Sequence, residues 1–439
     1  MVNRIEMEKY ERLFPEAQEL VKSSQTPDLV EVQRILKARG SSGISLSETA
    51  SLLNLLKAPN ETLIEEVKTS AKVLRKKLFS NKLTTMVPIE LGSYCTSNCV
   101  FCGWKSDNKK IQRLRLSKDG LLDELDYLLG LGFSHFELSG GDDILFLKRD
   151  LYEFVRVAKD KIKKVNPAGR LSVCLTPLTE LHYGTLAKEC GLDTVLTWQE
   201  SYSEATFNKY MVDGPKRYGI DDGFKMIKDG KGYLDRIASQ ERAIRSGLQV
   251  GIGTMIGLCE DPLSDILSVV SHGKLLLENY PDALPLIIGM PIWREIINEE
   301  YDSRSEEQNE NQQDLVEFFD YIASVYLLSL PDYKAWVFPN CRVSKSKQMS
   351  AIESAGMFTS TMVRVGPGAY NLENLDTKKK FSKSNVGLGE LTAEDVLAGE
   401  QFVHYFDTHE NYLHQFVAGG FEMTSESYFL GEAACKSSS

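Results

Sequence analysis

Between Tyr94 and Trp104 the chain reads YCTSNCVFCGW, which places Cys95, Cys99 and Cys102 in the spacing C-x3-C-x2-C. Three thiolates packed into so short a stretch suit an iron–sulfur cluster, because cluster irons are held by cysteine sulfur and a cubane normally takes four such ligands. With three offered, one iron is left open to bind something else. A tetrahedral structural zinc would need a fourth Cys or His nearby, and the next histidine is His135, beyond a predicted helix. A disulfide would leave one thiol over and needs an oxidising compartment. Zinc remains the alternative metal, and with it the reading of a metal-dependent binding or scaffold protein.

The elements that must position these thiols follow from the hydrophobic pattern. Short apolar runs bounded by Gly, Pro or polar turns predict strands at Thr85–Leu91, His135–Ser139, Leu171–Leu175, Thr194–Trp198, Gln249–Met255, Leu284–Met290, Lys334–Phe338 and Phe358–Val363. Apolar residues at helical spacing predict helices between them at Leu116–Leu131, Leu147–Lys164, Leu178–Cys190, Tyr233–Ser246, Pro262–Tyr280, Asn311–Leu328 and Lys345–Ala355. Such alternation is the pattern of a (β/α)8 TIM-type barrel, in which catalytic groups gather at the C-terminal strand ends. A (β/α)6 partial barrel is the alternative. Residues 1–85 read as a helical extension that clamps the barrel, 86–368 as the barrel, and 369–439 as a C-terminal extension. The last begins with an irregular, lysine-bearing stretch (Asp376–Lys383), continues as a helical tail and frays at Lys436–Ser439.

The chain has 439 residues and a net charge of −11. That balance argues against nucleic acid or an anionic membrane as the main partner. The first residues are charged and lack the apolar core of a signal peptide, and no apolar run reaches membrane-spanning length. A reducing cytoplasm is expected. The other cysteines, Cys174, Cys190, Cys259, Cys341 and Cys435, are scattered and read as inert thiols.

Several further residues fall where a barrel carries its site. Gly140-Gly141-Asp142-Asp143 follows the second strand, and glycines there let backbone amides approach a ligand. Glu200 ends the fourth, where a carboxylate can accept from hydroxyls or an ammonium. Gly251, Gly253 and Gly257 follow the fifth without the acidic partner of a dinucleotide fold, so a nicotinamide site is not expected. Arg342 ends the seventh, and its fork can pair both oxygens of a substrate carboxylate; an inter-helix salt bridge is the alternative.

C-x3-C-x2-C with Phe101 before the last cysteine resembles the signature of the radical S-adenosylmethionine (SAM) enzymes. That resemblance implies a 4Fe–4S cluster on Cys95, Cys99 and Cys102 whose open iron chelates SAM, with an electron donor such as flavodoxin or ferredoxin. Gly140-Gly141-Asp142 resembles the element that holds the SAM amino group, with Asp142 where Glu is usual. Thr197–Tyr202, TWQESY, followed by G-P-K, resembles a block of the aromatic amino acid lyases and implies cofactor roles for Gln199 and Glu200. Gly253 and Gly257 match a glycine block that packs against SAM, and His272 in the next helix is expected on the helix surface or at a cap.

At the sixth strand those lyases have P-R-x-R-P. Here Arg294 is kept, Ile292 stands for the first Arg and Glu295 for the last Pro. Arg342 and Arg294 are thus implied at the reacting centre, and Ser360, Thr361 and Arg364 beside the substrate. The branch implies cleavage of a carbon–carbon bond of a free α-amino acid, expected to be aromatic, such as tyrosine or tryptophan. A biotin-synthase-like, mutase or deaminase activity on another small substrate is the alternative. Only Cys435 follows Cys341, so the second cluster of hydrogenase maturation is not expected.

Overall fold

The computed structural model describes residues 4–227, 230–296, 315–382 and 391–436. Eight parallel strands run in one sheet: β1 (Lys82–Glu90), β2 (His135–Ser139), β3 (Arg170–Cys174), β4 (Thr194–Leu196), β5 (Gln249–Gly253), β6 (Leu286–Gly289), β7 (Ala335–Phe338) and β8 (Phe358–Ser360). Neighbours in sequence are neighbours in the sheet, and β8 returns to pair with β1 through Thr84↔Phe358 to Met86↔Ser360. Between β7 and β8 a single bridge, Val337↔Gly356, stands where a ladder would close the ring. The architecture is therefore a nearly closed eight-stranded barrel. The six-stranded alternative does not hold.

These strands read as continuous apolar runs because helices cover them outside and side chains fill them inside. Pro88 sits in β1 at no cost to the β8 pairing, since that ladder spans only Thr84–Met86. The predicted helix Leu147–Lys164 is in fact two, Ile144–Arg149 and Leu151–Val165. The first starts early because the Asp143 carboxylate accepts from the Phe146 amide, 3.1 Å. The predicted helix Asn311–Leu328 is observed as Phe319–Ser329, and residues 311–314 lie outside the described ones.

Five helices, Arg4–Glu11, Leu13–Ser23, Leu29–Ala38, Leu46–Asn54 and Glu61–Phe79, precede the barrel and share its hydrophobic core. Buried arginines join them to it. Arg75 donates to the carbonyls of Lys82 (2.7 Å) and Gly356 (2.9 Å), and Arg39 to those of Leu328 (2.9 Å) and Leu330 (3.2 Å). His272 is not on a helix surface: it is fully buried, 2.8 Å from the Tyr202 hydroxyl and edge-on to Tyr10. Its helix, Pro262–Asn279, is itself covered by Leu13–Ser23.

Beyond the barrel the lysine-bearing stretch is not wholly irregular. Thr377–Lys380 is helical, and Lys380 is buried with its ammonium 2.6 Å from Glu124. Lys383 and the last three residues lie outside the described ones. Helix Glu426–Lys436 caps the N-terminal end of the barrel, where the Glu426 carboxylate meets His135 and Arg170 (3.1 Å). That end of a barrel serves stability. Among the described residues no helix is long and apolar enough to cross a membrane.

Candidate active site

The loop after β1 carries the three cysteines, and three devices hold it. The Arg113 guanidinium donates to the carbonyls of Ser93 (2.6 Å), Trp104 (2.7 Å), Lys105 (2.8 Å) and Asn108 (2.9 Å), closing the loop on itself. Asn98–Cys99 pairs antiparallel with Met211–Asp213 from the β4–β5 connection, which brings the amide of Lys216 to Ser97 Oγ at 3.0 Å. The C-terminal segment lies across the loop: Trp104 Nε1 donates to Gly399 O, 3.0 Å, and Gln401 Nε2 to Cys102 Sγ, 2.8 Å. A Cβ on Gly103 would run into the Gln401 carbonyl.

Cys95, Cys99 and Cys102 line one cavity of about 200 Å³ at the C-terminal mouth of the barrel. Burial pushes the Cys99 thiol up to about 12 and raises Cys95 and Cys102 as well, with Asp142 and the neighbouring thiols adding to it. A metal bound there would have to displace the protons of these thiols. N–H donors already point at two of the sulfurs, from Gln401 and from the Asp142 amide to Cys95 Sγ at 3.3 Å. Among the described residues no three His, Cys, Asp or Glu side chains converge on one ion. A tetrahedral zinc needs such convergence, whereas a cubane spreads its sulfurs over separate irons, so the residues present fit the cluster better.

The second wall comes from β2. The Gly141 amide donates to Gly92 O, 2.9 Å, and a Cβ there would stand 2.9 Å from Cys95 Cβ and clash with Tyr94 O. Only glycine fits. The two aspartates that follow divide their work: Asp143 is taken by Arg115 Nε at 2.8 Å and by its helix cap, while Asp142 lines the cavity and accepts from Ser97 Oγ.

Glu200 follows β4 with φ of +70°, a strained backbone for a residue with a side chain, held by Thr254 Oγ1 and the Met255 amide, both 2.8 Å from its carbonyl. Its carboxylate is 2.6 Å from Lys216 and 3.6 Å from Arg236. Burial alone would raise its pKa, but those two cations hold it below the usual carboxylate value.

Arg342 enters from the loop after β7. Its guanidinium lies 4.3 Å over the Phe402 ring, and among the described residues it forms no ion pair, so the salt-bridge alternative does not hold. Burial lowers its pKa, while Glu200, Cys174 and Glu137 act to raise it. Arg294 lines the outer part of the cavity, donating to Val403 O at 3.2 Å and stacking 4.9 Å over Tyr405.

Phe101, Gly140, Glu200, Arg294, Arg342 and Ser360 thus share one cavity with the cysteines, Gly141 and Asp142. Five expected residues stand outside its wall. Gln199 is buried, donating to Ser201 O (3.2 Å) and Tyr233 O (3.4 Å). Gly253 allows close approach to Gly289, and Gly257 makes a left-handed turn at φ +86°. Thr361 turns outward to His409 Nδ1, 2.9 Å, and Arg364 stacks 3.6 Å over Phe406 beside Glu400.

Other wall residues were not anticipated: Glu90, Glu137, Cys174, Trp198, Lys216, Arg236, Gln401, Phe402 and His404. Lys216 belongs to the G-P-K triplet, and an acid at an inward position of an otherwise apolar strand marks Glu90 and Glu137. The 401–404 segment carries no such signal. Trp198 has room because Gly251 and Gly289 lie under its ring.

No protein-family model matches the chain. It is 26% identical over 235 residues to 2-iminoacetate synthase of Escherichia coli (strain K12), covering 52% of this chain and 55% of that protein. It is 24% identical over 254 residues to 3-methylornithine synthase of Methanosarcina acetivorans, covering 57% of this chain and 63% of that protein. The chain spans about half the length of the curated relatives named 2-iminoacetate synthase that it matches. Among solved structures it superposes on the FeFe-hydrogenase maturase HydG from Carboxydothermus hydrogenoformans with a TM-score of 0.74 at 20% identity, covering 95% of this chain and 85% of that one. Methylornithine synthase PylB gives a TM-score of 0.62 at 14% identity, covering 91% and 98%. These matches bear out the resemblance to radical SAM enzymes and the barrel fold.

Proposed function

We propose that this protein is a radical SAM lyase that cleaves a carbon–carbon bond of a free α-amino acid, aromatic as in tyrosine or tryptophan. The observation that carries the reading is one cavity shared by three cysteines, the Gly140–Asp142 turn, Glu200 and Arg342 at the mouth of the barrel. Similarity to 2-iminoacetate synthase supports the lyase branch.

In this reading Cys95, Cys99 and Cys102 would hold a 4Fe–4S cluster, and Phe101, Gly140, Gly141, Asp142 and Glu200 would bind SAM, with Gln199, Gly253 and Gly257 shaping the backbone behind. When bound, the two groups would supply radical chemistry for hydrogen abstraction, with one electron delivered by the external reductant. Arg342 pairs the substrate carboxylate, with Arg294 at the entrance and Ser360 beside it; Thr361 and Arg364 support that wall from outside. Orientation dominates, since a misplacement of about 1 Å can cost on the order of a hundredfold in rate. Gln401, Phe402 and His404 form one wall of the mouth. A reductant of the flavodoxin or ferredoxin kind, a cytoplasmic setting, and units at 1–85, 86–368 and 369–439 complete the proposal.

A mutase-type reaction on another small substrate is the second reading. It is favoured by Ile292, which lines the cavity where the lyase block carries arginine.

Anaerobic reconstitution with iron and sulfide, reduction, and an amino acid panel test the proposal. Expected are a brown protein, 5′-deoxyadenosine, and a fragment from tyrosine or tryptophan. Bound zinc in place of iron, or intact SAM under strong reductant, would overturn it. Deoxyadenosine with a rearranged product would select the second reading.

A further inference from the structure

Two carboxylates in the barrel interior feel the charge of Arg342, but among the described residues neither is in an ion pair with it. Glu90 ends β1, and Glu137 lies in β2 opposite Pro88, so both project inward from adjacent strands, two residues apart along the register. Their exposures are 6% and 8%, and both line the cavity. Ser139 hydrogen-bonds Glu90 and Cys174 hydrogen-bonds Glu137, but among the described residues Glu90 Oε2 has no hydrogen-bond partner and neither acid forms an ion pair. Arg342, which lines the same cavity, is likewise without one.

A buried acid with an unsatisfied oxygen is costly and persists where a ligand completes it. The remaining groups narrow what that ligand carries. Another anion would add to the repulsion between the two acids. A neutral carbonyl would offer no donor. A protonated nitrogen brings charge and several N–H donors together, and the rings of Trp198 and Phe338 on the same wall are suited to a cation.

We propose that Glu90 and Glu137 bind a protonated nitrogen of the substrate while Arg342 takes its carboxylate. This rests on the lyase reading only in taking the substrate to be an amino acid. The same chemistry is offered by an α-ammonium and by a side-chain ammonium, and ligand choice separates them. Burial, reinforced by Glu137 and only partly offset by Ser139 and Arg342, pushes Glu90 up to about 8, and burial, partly offset by Arg342 and Cys174, pushes Glu137 up to about 7, so a further cation draws the pair toward its ionised form.

The test uses iron-reconstituted protein with SAM and no reductant, titrated calorimetrically. The ligands are tyrosine, 3-(4-hydroxyphenyl)propionate, lysine and norleucine, and the proteins are wild type, Glu90→Gln, Glu137→Gln and Glu137→Asp. The expected result is that the glutamine variants bind the preferred amine about 10- to 100-fold more weakly. The desamino ligand should bind weakly and equally to all, and Glu137→Asp should recover part of the loss. Preference for tyrosine over its desamino analogue assigns the site to the α-ammonium. Preference for lysine over norleucine assigns it to a side-chain ammonium. Wild-type affinity in both glutamine variants, affinity indifferent to the amine, or no binding of any ligand would overturn the proposal. Unchanged cluster absorbance and far-ultraviolet dichroism show that the variants fold. Amine-dependent binding with no product after reduction would refute the lyase reading and leave this one standing.

Discussion

Replacing Arg342 with lysine keeps a positive charge in the cavity but removes the planar fork and the face that lies 4.3 Å over Phe402. Two terms set the size of the effect. A lysine makes a point contact where arginine makes two parallel charge-assisted bonds, and one such bond is worth about 1.5–3 kcal/mol. Loss of the stack on Phe402 adds about 0.5–1 kcal/mol. The sum, about 2–4 kcal/mol, corresponds to a fall in kcat/KM of roughly 30- to 1000-fold at 1.4 kcal/mol per tenfold. Stability should fall by no more than the stack on Phe402, about 0.5–1 kcal/mol, because among the described residues no ion pair is lost. The assay is single turnover with reduced, reconstituted enzyme, counting 5′-deoxyadenosine and amino acid fragment separately. Lysine should let deoxyadenosine form while fragment yield drops, since a loosely held substrate presents the wrong hydrogen. Fragment and deoxyadenosine in the wild-type ratio, at wild-type kcat/KM, would refute the carboxylate clamp.

Gly141→Ala pushes a methyl against Tyr94 O and Cys95 Cβ, so a loss of about 1–3 kcal/mol and fewer irons per chain are expected; wild-type iron content by metal analysis would refute the close-packing argument. Lys380→Ala strands the buried Glu124 carboxylate, now 2.6 Å from the ammonium, and should cost about 3–5 kcal/mol in denaturant melts, with part recovered by adding Glu124→Gln. Asp265 is fully buried, and burial pushes its carboxyl up to about 7 against hydrogen bonds from Thr254, the Tyr202 amide and Ser201. The folded protein therefore keeps a proton that the unfolded chain has released above about pH 4. Its contribution is intact below that pH and declines as pH rises toward 7, by up to about 1.4 kcal/mol per unit. Asp265→Asn should flatten the slope of stability between pH 4 and 7, and an unchanged slope would show that this group is not the source.

The strands were legible because each is buried on both faces and bounded by turn residues, which leaves a run of apolar residues with little ambiguity. His135–Ser139 is observed at its expected bounds, and the other strands within a few residues. The cysteine loop was legible because its ligand spacing is local. What escaped were residues whose role depends on distant partners. Arg113 reads as one more charge in a basic stretch, and only the folded loop shows it collecting carbonyls. Thr361 and Arg364 sit next to cavity residues in sequence, yet strand alternation and the helix carrying His409 turn them away.

By itself, then, the sequence determined the barrel, the place of the thiols after its first strand and the positions at the other strand ends. These are matters of period and spacing, which short-range sterics and burial enforce. Tertiary structure alone decided that Gln401 and Phe402, some three hundred residues from the first cysteine, line the cavity, that Lys216 and Arg236 both face Glu200, and that two acids on adjacent strands lie inside it without an ion pair among the described residues. Such groupings depend on which surfaces meet once the chain has closed on itself, and no local pattern encodes that.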